Sequence, residues 1–145
     1  MSTLSVTLEP VADVDFEAML ALRIEALRES LTRLGRFNPE VARARLRAQL
    51  HPAWMQHLVL GGERVGYFTV EPREGDLRLH HLYVAPAAQG QGIGAWVLDQ
   101  LKARCLPISL AALRESRAND FYRRHGLRVV EVQAFDIEYR WEPAA

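Results

Sequence analysis

The chain has 145 residues, of which 49% are hydrophobic and 25% charged, and its 18 basic and 18 acidic side chains leave no formal net charge. This length reads as one domain, residues 1–145, with a proper core. The charge balance gives no field that would draw nucleic acid or an anionic membrane surface, and the single cysteine, Cys105, excludes an internal disulfide and a cysteine-based metal site.

No apolar run approaches the length of a membrane-crossing helix, and the opening residues MSTLSVTLEP lack the basic and apolar regions of a secretory signal. The expected location is the cytoplasm. Residues 4–10 alternate and stop at Pro10, as a strand does. Residues 13–31 carry Phe16, Leu20, Ile24, Leu27 and Leu31 at helical spacing, with Asp13 as the expected N-cap. After the loop RLGRFNP, Asn38 caps and Pro39 opens a second helix to about Leu50, which HPAW breaks. Residues 56–60 and 64–70 flank a GGE turn and predict a β-hairpin. EPREGD is a further turn, and LRLHHLYV (77–84) the next strand. A helix is expected from Gln91 to 103, a strand over 107–113, a short helix over 117–125 and a terminal hairpin within 127–141. The order β-α-α-β-β-β-α-β-α-β-β predicts an α/β fold. Its central sheet is mixed and mostly antiparallel, with helices on both faces, not a doubly wound sheet.

The stretch AAQGQGIGAW (87–96) sets three glycines between a strand and a helix. Glycine there leaves the first-turn amides unshielded, and those amides have no intrahelical partner. With the helix dipole they form an anion site, and the first acidic side chain of the helix, Asp99, lies two turns in. No Gly-Lys-Ser/Thr follows, so this is not a P-loop. The spacing G-x-G-x-G also departs from the dinucleotide fingerprint, and the element order does not suit it.

Gln89-Gly90-Gln91-Gly92-Ile93-Gly94 after the strand LHHLYV resembles the acetyl-CoA-binding motif of the GNAT superfamily of N-acetyltransferases. SRANDFYRRHGL (116–127) resembles that family's Ala-x-x-Phe-Tyr-x-x-x-Gly-Phe segment. The two motifs stand in family order, and the likeness spans the chain, loosely over its first 55 residues. It implies the GNAT fold and an N-acetyltransferase using acetyl-CoA as co-substrate, without metal. By resemblance, the amides of Gln91, Gly92, Ile93 and Gly94 take the pyrophosphate, with Gln89 and Gly90 in the same loop. The backbone at Leu82, Tyr83 and Val84 pairs with the pantetheine arm like an added strand, between strands that splay apart. Glu115 stands where an asparagine is frequent, so Asn119 is expected to contact the arm in its place; Gln89 replaces the more frequent arginine.

Direct transfer from a thioester to an amine needs a neutral amine, a donor to the oxyanion and a proton for the leaving thiolate. Tyr122 matches the family's tyrosine and is the candidate acid. His80, four residues before Val84, matches the position of the family's base; His81 or water is the alternative, since strand alternation turns the two histidines to opposite faces. Glu25 is a weaker candidate for a cationic acceptor. Phe37 and Trp54 fall where the family lines its acceptor pocket, and Arg123 or Arg124 could reach a CoA phosphate. His51 and His57 have no ligand spacing with another residue, and no metal is expected. The implied partners are acetyl-CoA and an amine acceptor of open identity, with no nucleic acid and no membrane; a homodimer is the family-level expectation. The competing class is a CoA-binding sensor or structural module without turnover.

Overall fold

A computed structural model describes residues 5–33, 35 and 38–144, except the side chains of residues 29–31. Phe37 lies outside the described residues. The elements are β1 (Val6–Pro10), α1 (Phe16–Arg33), α2 (Pro39–Gln49), β2 (Met55–Leu60), β3 (Glu63–Arg73), β4 (Asp76–Val84), α3 (Ile93–Lys102), β5 (Ile108–Leu113), α4 (Ala118–Arg124), β6 (Arg128–Val132) and β7 (Asp136–Trp141). Their order is the one the sequence predicts.

Seven strands form one sheet in the order β1-β2-β3-β4-β5-β7-β6. The pairs β1–β2, β2–β3, β5–β7 and β6–β7 are antiparallel, and β4–β5 is parallel. A parallel pair needs a crossover, which α3 supplies. The β4–β5 register covers only Leu77–Leu79 against Ile108–Leu110, although both strands run on, to Val84 and Leu113.

The chain falls into two compact units, one of residues 1–69 and 81–93, the other of residues 70–80 and 94–145. The core of the first packs Phe16, Met19 and Leu20 of α1 with Leu46 of α2, Met55 of β2 and Tyr67 of β3. Arg23 continues the buried stripe of α1 at i+7 from Phe16 and is only 6% exposed. The second unit buries Leu77 and Leu79 of β4, Val97, Leu98 and Leu101 of α3, Ile108 and Leu110 of β5, and Tyr139 of β7.

One local expectation changes here. Asp13 does not cap α1. A 3-10 turn, Asp13–Asp15, precedes the helix with Ala12 at its N-cap, and Asp15 Oδ2 accepts from the Ala12 N–H at 2.9 Å. Asp15 is better used there, because it also lies 2.9 Å from His57 Nε2 and 3.0 Å from an Arg64 nitrogen. The His57 hydrogen bond foremost, with the Ala12 amide and Arg64, holds its carboxyl down at about 2 against the desolvation that opposes it. Asn38 caps α2 as expected, accepting from the N–H groups of Glu40 and Val41, with Pro39 in the first turn.

Candidate active site

The glycine-rich turn lies in the first unit. After Val84 a 3-10 turn, Pro86–Ala88, leads to Gly90 and Gly92, with φ of 80° and 84°. Left-handed residues cannot continue an α-helix, so α3 opens at Ile93, two residues later than the sequence suggests. The unshielded amides shift accordingly. Ile93, Gly94 and Ala95 now supply the first turn, whose N–H groups have no intrahelical acceptor. Among the described residues, Gly90, Gln91 and Gly92 donate no backbone hydrogen bond. No acidic side chain stands in the first turn, and the space a Cβ would take at Gly90 or Gly92 is open. Such a row of amides suits a phosphate or pyrophosphate.

The third glycine has another task. A Cβ on Gly94 would lie 2.9 Å from Cζ of Phe121, so glycine here lets α3 close on the ring from α4. Gln89 also braces the loop. Its Nε2 donates to the Val84 carbonyl at 2.9 Å, tying the loop back to the end of β4.

Leu82, Tyr83 and Val84 are half-buried at the C-terminal end of β4. Gly66 of β3, which sequence reasoning passed over, fixes that end. A Cβ at Gly66 would lie 2.3 Å from the Tyr83 carbonyl oxygen and 3.2 Å from the Val84 Cα. The signal was a glycine inside a strand, which marks a bulge or a close backbone approach. The β2–β3 register does shift beside it, at Leu58/Val59. With the Tyr83 carbonyl packed on Gly66 and the Val84 carbonyl held by Gln89, the added-strand expectation narrows at both carbonyls.

In the second unit, Tyr122 of α4 is 7% exposed, with its ring centroid 5.3 Å from Phe121 and 5.9 Å from Tyr139. Asn119, expected to contact the pantetheine arm, is engaged within the protein. Its Nδ2 donates to the Leu113 carbonyl at 2.8 Å and the Ser116 carbonyl at 3.0 Å, and its Oδ1 accepts from the Tyr139 hydroxyl at 2.7 Å. A side-chain amide has two N–H donors, and both are used, so Asn119 acts as the bracket that ties α4 to β5 and β7. Glu115, where the family pattern favours asparagine, has φ of 67°, a conformation asparagine tolerates better than glutamate. Arg117, Arg123 and Arg124 line an open depression with Asp120, a basic patch on and beside α4.

The alternation of β4 holds at its histidines. His81 is buried in phase with Leu77 and Leu79, while His80 is exposed. His80 Nε2 lies 2.8 Å from Glu71 Oε1. The His80 hydrogen bond is the foremost cause lowering the Glu71 pKa, with Arg73 adding to it. His81 Nδ1 lies 3.0 Å from Thr69 Oγ1, and its ring stacks near Tyr83 at 5.8 Å. Glu25 is exposed on α1, and Trp54 stacks on His51 with centroids 3.7 Å apart. His57 is buried against Asp15. Among the described residues no group of three or more His, Cys, Asp or Glu side chains is placed to hold a metal ion.

Residues 53–128 match the family model of the acetyltransferase (GNAT) domain. The chain belongs to the GNAT acetyltransferase family. The matched stretch starts before β2 and runs through α4, so it takes in the glycine turn, both histidines of β4 and Tyr122. The GNAT fold extends over the rest. The PaiA N-acetyltransferase from Thermoplasma acidophilum, solved in complex with coenzyme A, superposes with a TM-score of 0.76 at 14% identity, covering 96% of this chain and 99% of that one. An acetyltransferase from Thermus thermophilus gives 0.73 at 23% identity, covering 97% and 99%. Arabidopsis thaliana Naa50, solved with the bisubstrate analogue CoA-Ac-MVNAL, gives 0.61 at 18% identity, covering 96% and 99%. At these identities the likeness is one of fold. No protein of curated function matches the chain by sequence.

Proposed function

We propose that this GNAT chain is an N-acetyltransferase that carries the acetyl group of acetyl-CoA to a primary amine by direct attack, with residues 1–145 working as one catalytic domain. The observation that carries the reading is the row of amides at Gly90–Gly92 and the first turn of α3, which among the described residues have no hydrogen-bond acceptor of their own. The coenzyme A complex of the PaiA neighbour supports it. Acetyl-CoA supplies an activated thioester acyl group. The chain's amides hold the pyrophosphate, the end of β4 aligns the pantetheine arm, and the Tyr122 phenol donates its proton to the departing sulfur. His80 accepts a proton from the amine, directly or through water. Glu71 orients its ring, as carboxylates do for catalytic imidazoles.

Gly92 tests the cradle. Ligand at one hundred times its dissociation constant adds about 2.7 kcal/mol to stability. Because φ at Gly92 is 84°, any side chain there is strained, and a single charged substitution would confound strain with charge. Asparagine tolerates this backbone and is nearly isosteric with aspartate. Gly92→Asn is expected to keep part of the acetyl-CoA thermal shift, and Gly92→Asp to lose nearly all of it. Equal shifts in the two variants would remove the pyrophosphate from this turn.

The proposed base is tested by pH. An alkylammonium has a pKa near 10.4, so free amine is scarce at neutral pH. His80→Ala is expected to depress kcat/KM most at low pH, with the loss shrinking as the pH rises toward the pKa of the amine. His81→Ala, folded and able to bind acetyl-CoA, should lack this pH-dependent defect. A wild-type pH profile in His80→Ala leaves deprotonation to water or another group.

A further inference from the structure

We propose that Arg23 binds a carboxylate of the acceptor, so that the acceptor is an amine that also carries a carboxylate, an amino acid or an acidic peptide N-terminus. This rests on the N-acetyltransferase reading. Arg23 occupies a core position of α1 and is 94% buried. A guanidinium withdrawn from water needs an anion or a full set of acceptors. Among the described residues no carboxylate pairs with it. Its guanidinium donates to the neutral Gln49 Oε1 at 2.8 Å, and it lies 5.5 Å over the Tyr83 ring.

A second buried donor stands nearby, within reach of the Arg23 guanidinium. The Tyr67 hydroxyl is fully buried and, among the described residues, makes no hydrogen bond. Burial pushes the Tyr67 phenol well up, so it stays a neutral O–H donor, while Arg23 pulls the other way. The Tyr67 and Tyr83 rings meet edge to face at 5.4 Å. Thus α1, α2, β3 and β4 bring together a planar N–H fork and an O–H donor, with no anion between them. That donor set suits a carboxylate, which accepts two N–H bonds in parallel and a further O–H. Gln49 is exposed at the last position of α2, so its side chain has solvent to turn into once its bond to Arg23 is given up. Its oxygen stands where a carboxylate oxygen would sit.

The test sets each L-amino acid against its primary amide, and aspartate 1-amide against asparagine amide, so that α- and side-chain carboxylates are told apart. The readouts are kcat/KM by thiol release and, by calorimetry, binding to the CoA-saturated protein. The acid member of a pair is expected to be favoured by on the order of 10–100-fold, the worth of a charge-assisted hydrogen bond. Arg23→Gln should bring that ratio close to one, and Arg23→Lys should keep part of it. Gln49→Glu supplies the missing anion from the chain itself and should raise Tm while lowering the ratio. A folded Arg23→Gln that keeps the wild-type ratio overturns the inference. Should Arg23→Gln not fold, an unchanged ratio in Gln49→Glu overturns it equally. If no amine is acetylated, the transferase reading fails, yet acids binding where amides do not still upholds the carboxylate site. Equal binding, or none, of acids and amides refutes it.

Discussion

Tyr122→Phe is expected to lower kcat by on the order of 10²–10⁴-fold, the usual cost of losing a general acid, while acetyl-CoA binding stays nearly intact. The substitution removes one oxygen. The ring keeps its place beside Phe121 and Tyr139, and its burial is unchanged. Folding and cofactor affinity therefore serve as internal controls. The defect should appear in kcat and kcat/KM together, as for an interaction made in the transition state. It should also be largest with acyl donors whose leaving thiol is most basic, since a good leaving group needs the proton least. A Phe variant with wild-type turnover would reduce Tyr122 to a packing aromatic that fills the space between α4 and β7.

Gly66→Ala is expected to be the most disruptive small substitution in the first unit. The added Cβ would overlap the Tyr83 carbonyl oxygen, and β3 and β4 must part because that obstacle is main chain. Overpacking of this kind typically costs about 1–3 kcal/mol. For a chain of this size that lowers Tm by on the order of 3–12 °C. The displaced segment is the end of β4 that is proposed to align the pantetheine arm, so acetyl-CoA affinity should fall along with stability. Gly94→Ala is the comparison. Its Cβ meets the Phe121 ring, a side chain with some freedom to tilt, and alanine favours the helix by roughly 0.5–1 kcal/mol. A Gly66→Ala protein as stable as Gly94→Ala would mean that β3 and β4 do not depend on that close approach.

The element order was legible because the chain is well punctuated. Pro10, Asn38-Pro39, Gly61-Gly62 and Pro86 all mark boundaries that the structure keeps. The errors are local and share one cause: a position was read by residue type when its role depended on geometry or on a distant partner. The start of α3 moved because left-handed φ at Gly90 and Gly92 forbids helix before Ile93. Asp13 is the expected cap, but Asp15, held by His57 from 42 residues away, accepts from the Ala12 amide. Asn119 has a structural role that the sequence does not show, because the Tyr139 hydroxyl that its side-chain oxygen accepts from lies 20 residues on. Gly94 keeps an amide in the first turn of α3, but its lack of a Cβ serves a distant partner, the Phe121 ring. Arg23 was missed for the opposite reason. It sits at i+7 on the apolar stripe of α1, where periodicity expects an aliphatic residue, and a charge on such a stripe is a signal in itself. His80 and His81 were separated correctly, because a strand's two-residue period needs no distant information.

The most direct measurement is release of free thiol from acetyl-CoA across a panel of amines, amino acids, peptide N-termini and protein lysines, with the acetylated product identified by mass spectrometry. The account predicts thiol release that depends on the acceptor, an acetylated amine in equal amount, and loss of both in Tyr122→Phe. Acetyl-CoA that binds and stabilises the protein, with no acceptor raising thiol release above slow hydrolysis, would contradict it and make this GNAT chain a CoA-binding sensor without turnover.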